Sequence, residues 1–219
     1  DLLESRTKAF LIAYFTGKGN LFCEQIEVFC SDMWTAYLET AKALFINATI
    51  VVDRFHYFSY LQDVMDKTRK KLRKSHPKQE VLKKSKWVLF KNPPELSEKE
   101  KQKLLELWAI PEFKELKQIY DLKNEFRAIL EQKIGRNQAG ILLEIWLGKA
   151  KKLANESMDI FIAFYQKWQQ YILNYFTYRV STSVIEGINN KIKLIKRRGF
   201  GFASFPNFRR IVLIEFLKS

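Results

Sequence analysis

The feature that most constrains the fold is a change of period early in the chain. Ile26-Glu27-Val28-Phe29-Cys30 alternates and is rich in β-formers up to Ser31-Asp32, and Ala48-Thr49-Ile50-Val51-Val52 is a short apolar run that stops at Asp53. Such a run suits a parallel strand, which is buried on both faces. Residues 33–45 between them carry a helical period that starts next to Asp32, long enough to cross over a sheet. Residues 4–17 also read as a helix. This order predicts the beginning of a doubly wound α/β sheet, of which only a small part is visible. From residue 54 to about 175 no segment reads as a strand, so a long all-helical insertion interrupts the α/β pattern. The fold class expected is α/β, predominantly helical.

Inside the insertion, Phe55, Phe58, Leu61, Met65 and Leu72 trace one face of a helix that ends in the basic run 67–74. Asn92-Pro93-Pro94 breaks the pattern, and Ser97-Glu98-Lys99-Glu100 has the form of a capping box. Pro111 opens a helix reaching about residue 133, and segments 138–153 and 157–176 follow Gly135. The last carries Phe161, Phe164, Tyr165, Trp168, Tyr171, Tyr175 and Phe176. Aromatics so dense could stack on bases, but at helical spacing they are expected to fill a core. In the helix 185–198, Ile185, Ile188, Ile192 and Ile195 form an apolar stripe, opposite Glu186, Asn189, Asn190, Lys193 and Arg197. Gly199-Phe200-Gly201 breaks that helix, and 205–217 reads as a short terminal one.

Composition then narrows the partner. Thirty-eight Lys and Arg against 24 Asp and Glu give +14 at pH 7, which favours a polyanion such as nucleic acid, although a lysine-rich surface would give the same balance. The apolar fraction of 47% is ample for a packed core. Cys23 and Cys30 have neither zinc spacing nor a disulfide framework and are expected to be reduced core residues. No apolar run has the length of a membrane span, and the first residues do not resemble a signal peptide, so no membrane partner and a cytoplasmic location are expected. The chain opens without Met, which suggests a piece of a longer protein.

Three carboxylates and a histidine are candidates for chemistry. Asp32 and Asp53 each follow a strand, where an aspartate either caps the next helix or faces the crevice in which open α/β sheets bind ligands. Glu186 leads a helix carrying Lys191, Lys193, Lys196, Arg197 and Arg198, a basic cluster suited to phosphates. An acidic residue at a helix start also complements the helix dipole. His56 is either a ligand or base, or simply a structural partner of Asp53. Carboxylates of this kind can clamp two divalent ions for phosphodiester transfer.

Cys30-Ser31-Asp32-Met33-Trp34-Thr35-Ala36-Tyr37, then Asn47 to Asp53-Arg54-Phe55-His56, then Ile185-Glu186-Gly187-Ile188-Asn189-Asn190 on to Arg197-Arg198-Gly199-Phe200-Gly201-Phe202, resemble in order and spacing the ISL-three family of bacterial insertion-sequence DDE transposases. The resemblance covers nearly the whole chain. It implies a partial ribonuclease-H-like catalytic core, residues 1–57 and 176–219, with a helical insertion at 58–175. It implies that Asp32 and Glu186 match the family's second aspartate and its glutamate, as ligands of Mg²⁺ or Mn²⁺ in a two-metal site. Asp53 and His56 match an Asp-x-x-His signature that supports the active site, and Asn189, Asn190 and the basic cluster would meet DNA. The family's first catalytic aspartate has no counterpart, since Asp1 does not match it. Ser181-Thr182-Ser183-Val184-Ile185 also departs from the family's usual Asn-Gly-bearing stretch. The expected function is metal-dependent cleavage and strand transfer of an insertion sequence on double-stranded DNA, by a homo-oligomer associated with the bacterial nucleoid, with these residues alone inactive. A non-catalytic DNA-binding or assembly module, or a nuclease of the same fold, are the alternatives.

Overall fold

The computed structural model describes residues 1–217. The chain runs through α1 (Lys8–Thr16), α2 (Asn20–Glu24), β1 (Val28–Ser31), α3 (Thr35–Leu44) and β2 (Thr49–Val52). Then come α4 (Arg54–Ser75), α5 (Lys86–Phe90), α6 (Glu98–Trp108), α7 (Lys114–Glu131), α8 (Arg136–Lys151) and α9 (Glu156–Tyr178), followed by α10 (Ser183–Arg198) and α11 (Phe205–Leu217). Helix predominates, and among the described residues β1 and β2 form a single two-stranded sheet. None of the described helices is long and apolar enough to cross a membrane. Two compact units result, Asp1–Asp53 with Tyr178–Ser219, and Arg54–Thr177.

In the first unit β1 and β2 pair in parallel, Val28 opposite Thr49 and Ser31 opposite Val52. Parallel strands need a crossover, and α3 provides it. Val51 and Val52 are buried, as their uninterrupted apolar run requires. A small core of Cys23, Ala41 and Phe45 gathers Phe15, Ile26, Phe29, Leu44, Ala48 and Ile50 around it. The Phe45 ring meets Phe15 edge-on at 4.9 Å and Phe29 at 5.3 Å. Both cysteines are free thiols, Cys23 in this core and Cys30 half-buried on β1.

Two expectations for this unit are corrected. Helix α3 begins two residues later than its apolar period suggests, and its N-cap is Trp34, whose backbone is extended and whose side chain makes no cap bond. Asp32 therefore stands outside the helix and does not cap it. The isoleucine stripe of α10 is also only partly inside: Ile195 is buried, but Ile185 is 52% exposed, because α11 covers only part of that face.

The second unit holds helices α4–α9, with α7 packed between α4 and α8. Its centre is Phe126, whose ring lies 4.8 Å from Trp146 and about 6 Å from Tyr57, Phe161 and Tyr165. Each such side chain contributes about 1.5–3 kcal/mol by leaving water. The α9 aromatics behave as their helical spacing predicts, since Phe161, Tyr165, Trp168, Tyr171, Tyr175 and Phe176 are all buried. Two of the buried polar side chains are paired with carbonyls, as low-dielectric surroundings favour, whereas the Tyr165 hydroxyl is buried with no partner among the described residues. Trp146 Nε1 donates to the Leu122 carbonyl at 2.8 Å, and Lys123 Nζ donates to the Leu89 and Lys91 carbonyls at 2.8 and 3.0 Å. Burial lowers the Lys123 pKa to about 8.

The Ser97 capping box forms as the sequence predicts. Glu100 N donates to Ser97 Oγ, and Ser97 N donates to Glu100 Oε2 at 2.9 Å. The inward face of α4 differs from the expected one. Tyr57, Leu61, Val64, Met65, Thr68 and Arg69 are buried, while Phe55 is exposed. Arg69 can lie inside because Asp66 pairs with it at 2.7 Å, a local neutralisation that the apolar stripe does not reveal.

Candidate functional site

The first unit brings most of the candidate residues into its two strand ends and α10. Because Ser31 and Val52 are register partners, Asp32 and Asp53 each follow the last paired residue of their strand. The Asp53 amide continues the ladder, donating to the Ser31 carbonyl at 2.9 Å. Their surroundings then diverge. Asp53 is fully buried, and its Oδ2 accepts bonds from both the amide and the hydroxyl of Thr182. Thr182 is the N-cap residue of α10. The end of β2 is thus fastened to the start of the helix that carries Glu186, across 129 residues of sequence. Sequence reasoning missed Thr182, because no local pattern announces a contact over that separation.

Asp32 is held differently. Its Oδ1 is buried and has no hydrogen-bond partner among the described residues. A carboxylate oxygen withdrawn from water and left without a donor is costly unless a cation meets it. Its charge is felt nearby: the Tyr37 hydroxyl is pushed up in pKa by burial and then by Asp32, with Arg6 opposing. On β1 itself, burial and then the charge of Asp53 raise the Cys30 thiol to about 11. Glu186 sits in the first turn of α10, exposed and without an ion pair or hydrogen bond to its carboxylate among the described residues. Hard oxygen donors of this kind fit Mg²⁺ or Mn²⁺. No group of three or more His, Cys, Asp or Glu assembles as a metal cage among the described residues. His56 lies exposed in the first turn of α4, in the other unit.

The basic residues of α10 divide into two sets. Lys191 donates to the Glu215 carbonyl at 3.2 Å and covers the Phe216 ring at 4.4 Å, and Arg198 pairs with Glu215 at 3.2 Å. Those two fasten α10 to α11. Lys193, Lys196 and Arg197 are exposed, make no side-chain bond among the described residues, and line a groove of about 400 Å³ together with Phe200 and Gly201. Asn189 and Asn190 are exposed on the same helix.

The helix ends in a Schellman motif. Phe200 N donates to the Arg197 carbonyl at 3.1 Å, and Gly201 N donates to the Lys196 carbonyl at 3.4 Å. The position that must turn left-handed, normally glycine, is Phe200, with φ of +49°. Gly201 follows at +99°, which only glycine accepts without strain. Phe202 turns inward, its ring resting where a Cβ on Gly199 would stand and 4.9 Å from Phe208. Phe200 is left fully exposed, at 102%.

In open α/β sheets ligands bind beyond the carboxyl ends of the strands, which is where Asp32 and Asp53 stand. Residues 1–212 match the ISL-three family of DDE transposases, described as "Transposase", and the chain belongs to that family. It is similar to the transposase for insertion sequence element IS1001 of Bordetella parapertussis, with 29% identity over 186 residues, 82% of this chain and 45% of that protein. The chain thus spans less than half the length of this curated relative. No solved structure matches it.

Proposed function

We propose that this chain carries part of the catalytic domain of an insertion-sequence transposase: a partial ribonuclease-H-like core, interrupted by the helical unit, that cuts double-stranded DNA at the element ends and joins it to a target. The observation that carries the reading is Asp32 at the end of β1, with a buried oxygen that no donor among the described residues satisfies. Asp32 and Glu186 would hold the metal ions. Divalent ions bound there would activate the attacking oxygen and stabilise the leaving one in each phosphodiester exchange. The protein's own part is positional. Asp53, through Thr182, fixes the first turn of α10 and with it Glu186. Lys193, Lys196 and Arg197 meet the phosphates, while Lys191 and Arg198 act at one remove by holding α10 against α11. The active species is a homo-oligomer that holds two element ends. The residues of this chain alone give no strand cleavage, since none matches the family's first aspartate.

The test replaces Asp32 by Asn in the protein expressed from its complete reading frame. Mg²⁺-dependent cleavage of element-end DNA is expected to vanish, with duplex affinity and the unfolding midpoint kept. In the chain described here, Mn²⁺ should raise the unfolding temperature of the wild type, and Asp32→Asn or Glu186→Gln should remove that shift. Unchanged cleavage in Asp32→Asn would sink the assignment and favour a non-catalytic DNA-binding module. Cleavage without joining would assign a nuclease instead.

A further inference from the structure

We propose that Phe200 is a stacking platform for a nucleotide that has left the duplex stack, with Lys193, Lys196 and Arg197 holding the phosphates beside it. This inference rests on the DNA-binding reading of α10 and names the form of DNA that the groove takes.

Three independent observations converge on it. The first is exposure: at 102% relative accessibility the Phe200 ring stands clear of the described chain, although the same loop packs the half-buried Phe202 against Gly199 and Phe208. One aromatic of the Gly-Phe-Gly-Phe run is spent on the fold and the other is held away from it. The second is conformation. Phe200 occupies the left-handed position of a Schellman motif, where a bulky residue is disfavoured and glycine would stabilise the helix end. A residue kept at a position that penalises it, with no contact in return, points to a role outside the fold. The third is company. The groove beside the ring is lined by Lys193, Lys196 and Arg197, whose side chains have no acidic partner among the described residues. A flat apolar face flanked by free cations matches a base flanked by phosphates.

A base inside an intact duplex presents only its edge to a protein, so a ring such as Phe200 reaches a base face only where the stack is open. Element ends at the moment of cutting, nicks and bulges all present such a base. The groove is therefore expected to prefer DNA with one unstacked nucleotide over the same sequence fully paired.

The experiment measures binding of the 219-residue chain to a labelled duplex, paired throughout or carrying one unpaired 2-aminopurine. The wild type should bind the bulged duplex roughly tenfold more tightly and quench the 2-aminopurine. Phe200→Gly should erase both the preference and the quenching while raising the unfolding midpoint, because glycine relieves the left-handed position. Phe200→Trp should keep the preference. A preference that survives in Phe200→Gly overturns the stacking role, while the DNA reading stands as long as Lys196→Gln and Arg197→Gln weaken binding to both duplexes. Salt-independent or absent binding to either duplex overturns the DNA reading and this inference with it. Loss of self-association, rather than of base preference, in Phe200→Gly would assign the ring to a second copy of the chain and also overturn the proposal.

Discussion

The helical unit and the α/β unit use their apolar residues in opposite ways. In the first, Phe126 meets four aromatic rings, and Lys123, though fully buried, is satisfied by two carbonyls. In the second, the core gathers around Cys23, Ala41 and Phe45, while Val184, Ile185, Leu194 and Phe200 stay at the surface of the segment that also carries Glu186 and the free cations. A well-packed interior resists change, whereas a surface that meets a ligand must leave its groups unsatisfied until the ligand arrives. The candidate chemistry lies in the sparsely packed unit.

The largest effect expected from this contrast is in the helical unit. Phe126→Ala should cost about 3–5 kcal/mol in denaturant unfolding, because the ring leaves a cavity walled by stiff neighbours. The half-exposed Ile185, changed to Ala, should cost under about 0.5 kcal/mol, and equal costs at the two positions would break the comparison. An intermediate effect is expected at the tie between β2 and α10. Asp53→Ala strands the Thr182 amide and hydroxyl, at about 1–3 kcal/mol, and hydrogen exchange should show the first turn of α10 losing protection. Protection unchanged there would remove Asp53 from its positioning role.

A last effect is spread over pH rather than produced by one substitution, and it concerns Lys123. Its pKa in the fold is about 8, below that of the unfolded chain near 10.4, so the unfolded state binds more protons between those values. Stability should therefore rise as pH increases through that window. Lys123→Met should flatten the rise, and a stability that falls with pH in the wild type alone would refute the buried-lysine account.

Much of the fold was legible because its signals are local. Ser97 and Glu100 sit three apart and cap α6, the aromatics of α9 repeat at helical spacing, and the two apolar runs stop at Asp32 and Asp53. What escaped the sequence is non-local. The buried face of α4 was chosen by packing, which let Tyr57 and the Asp66-paired Arg69 in and left Phe55 out. A start two residues later for α3 freed Asp32 from capping it. Of five cations that looked alike on α10, Glu215 and Phe216 engage two, a division that depends on how α11 returns. Phe200 was visible as a letter, but its left-handed, unsupported state needed the backbone.

One further consequence follows from the tie at Thr182. The Thr49 hydroxyl lies 3.1 Å from the Tyr178 hydroxyl, and Asp53 grips Thr182, so the chain departs from the α/β unit and rejoins it between two adjoining clasps. An excursion whose exit and return are pinned together is a closed circuit. Its length enters the energy only logarithmically, through loop closure. Residues can be added to or trimmed from the far reaches of the circuit without pulling on either strand end, so the helical unit is free to diverge in size and surface while Asp32 and Glu186 keep their setting.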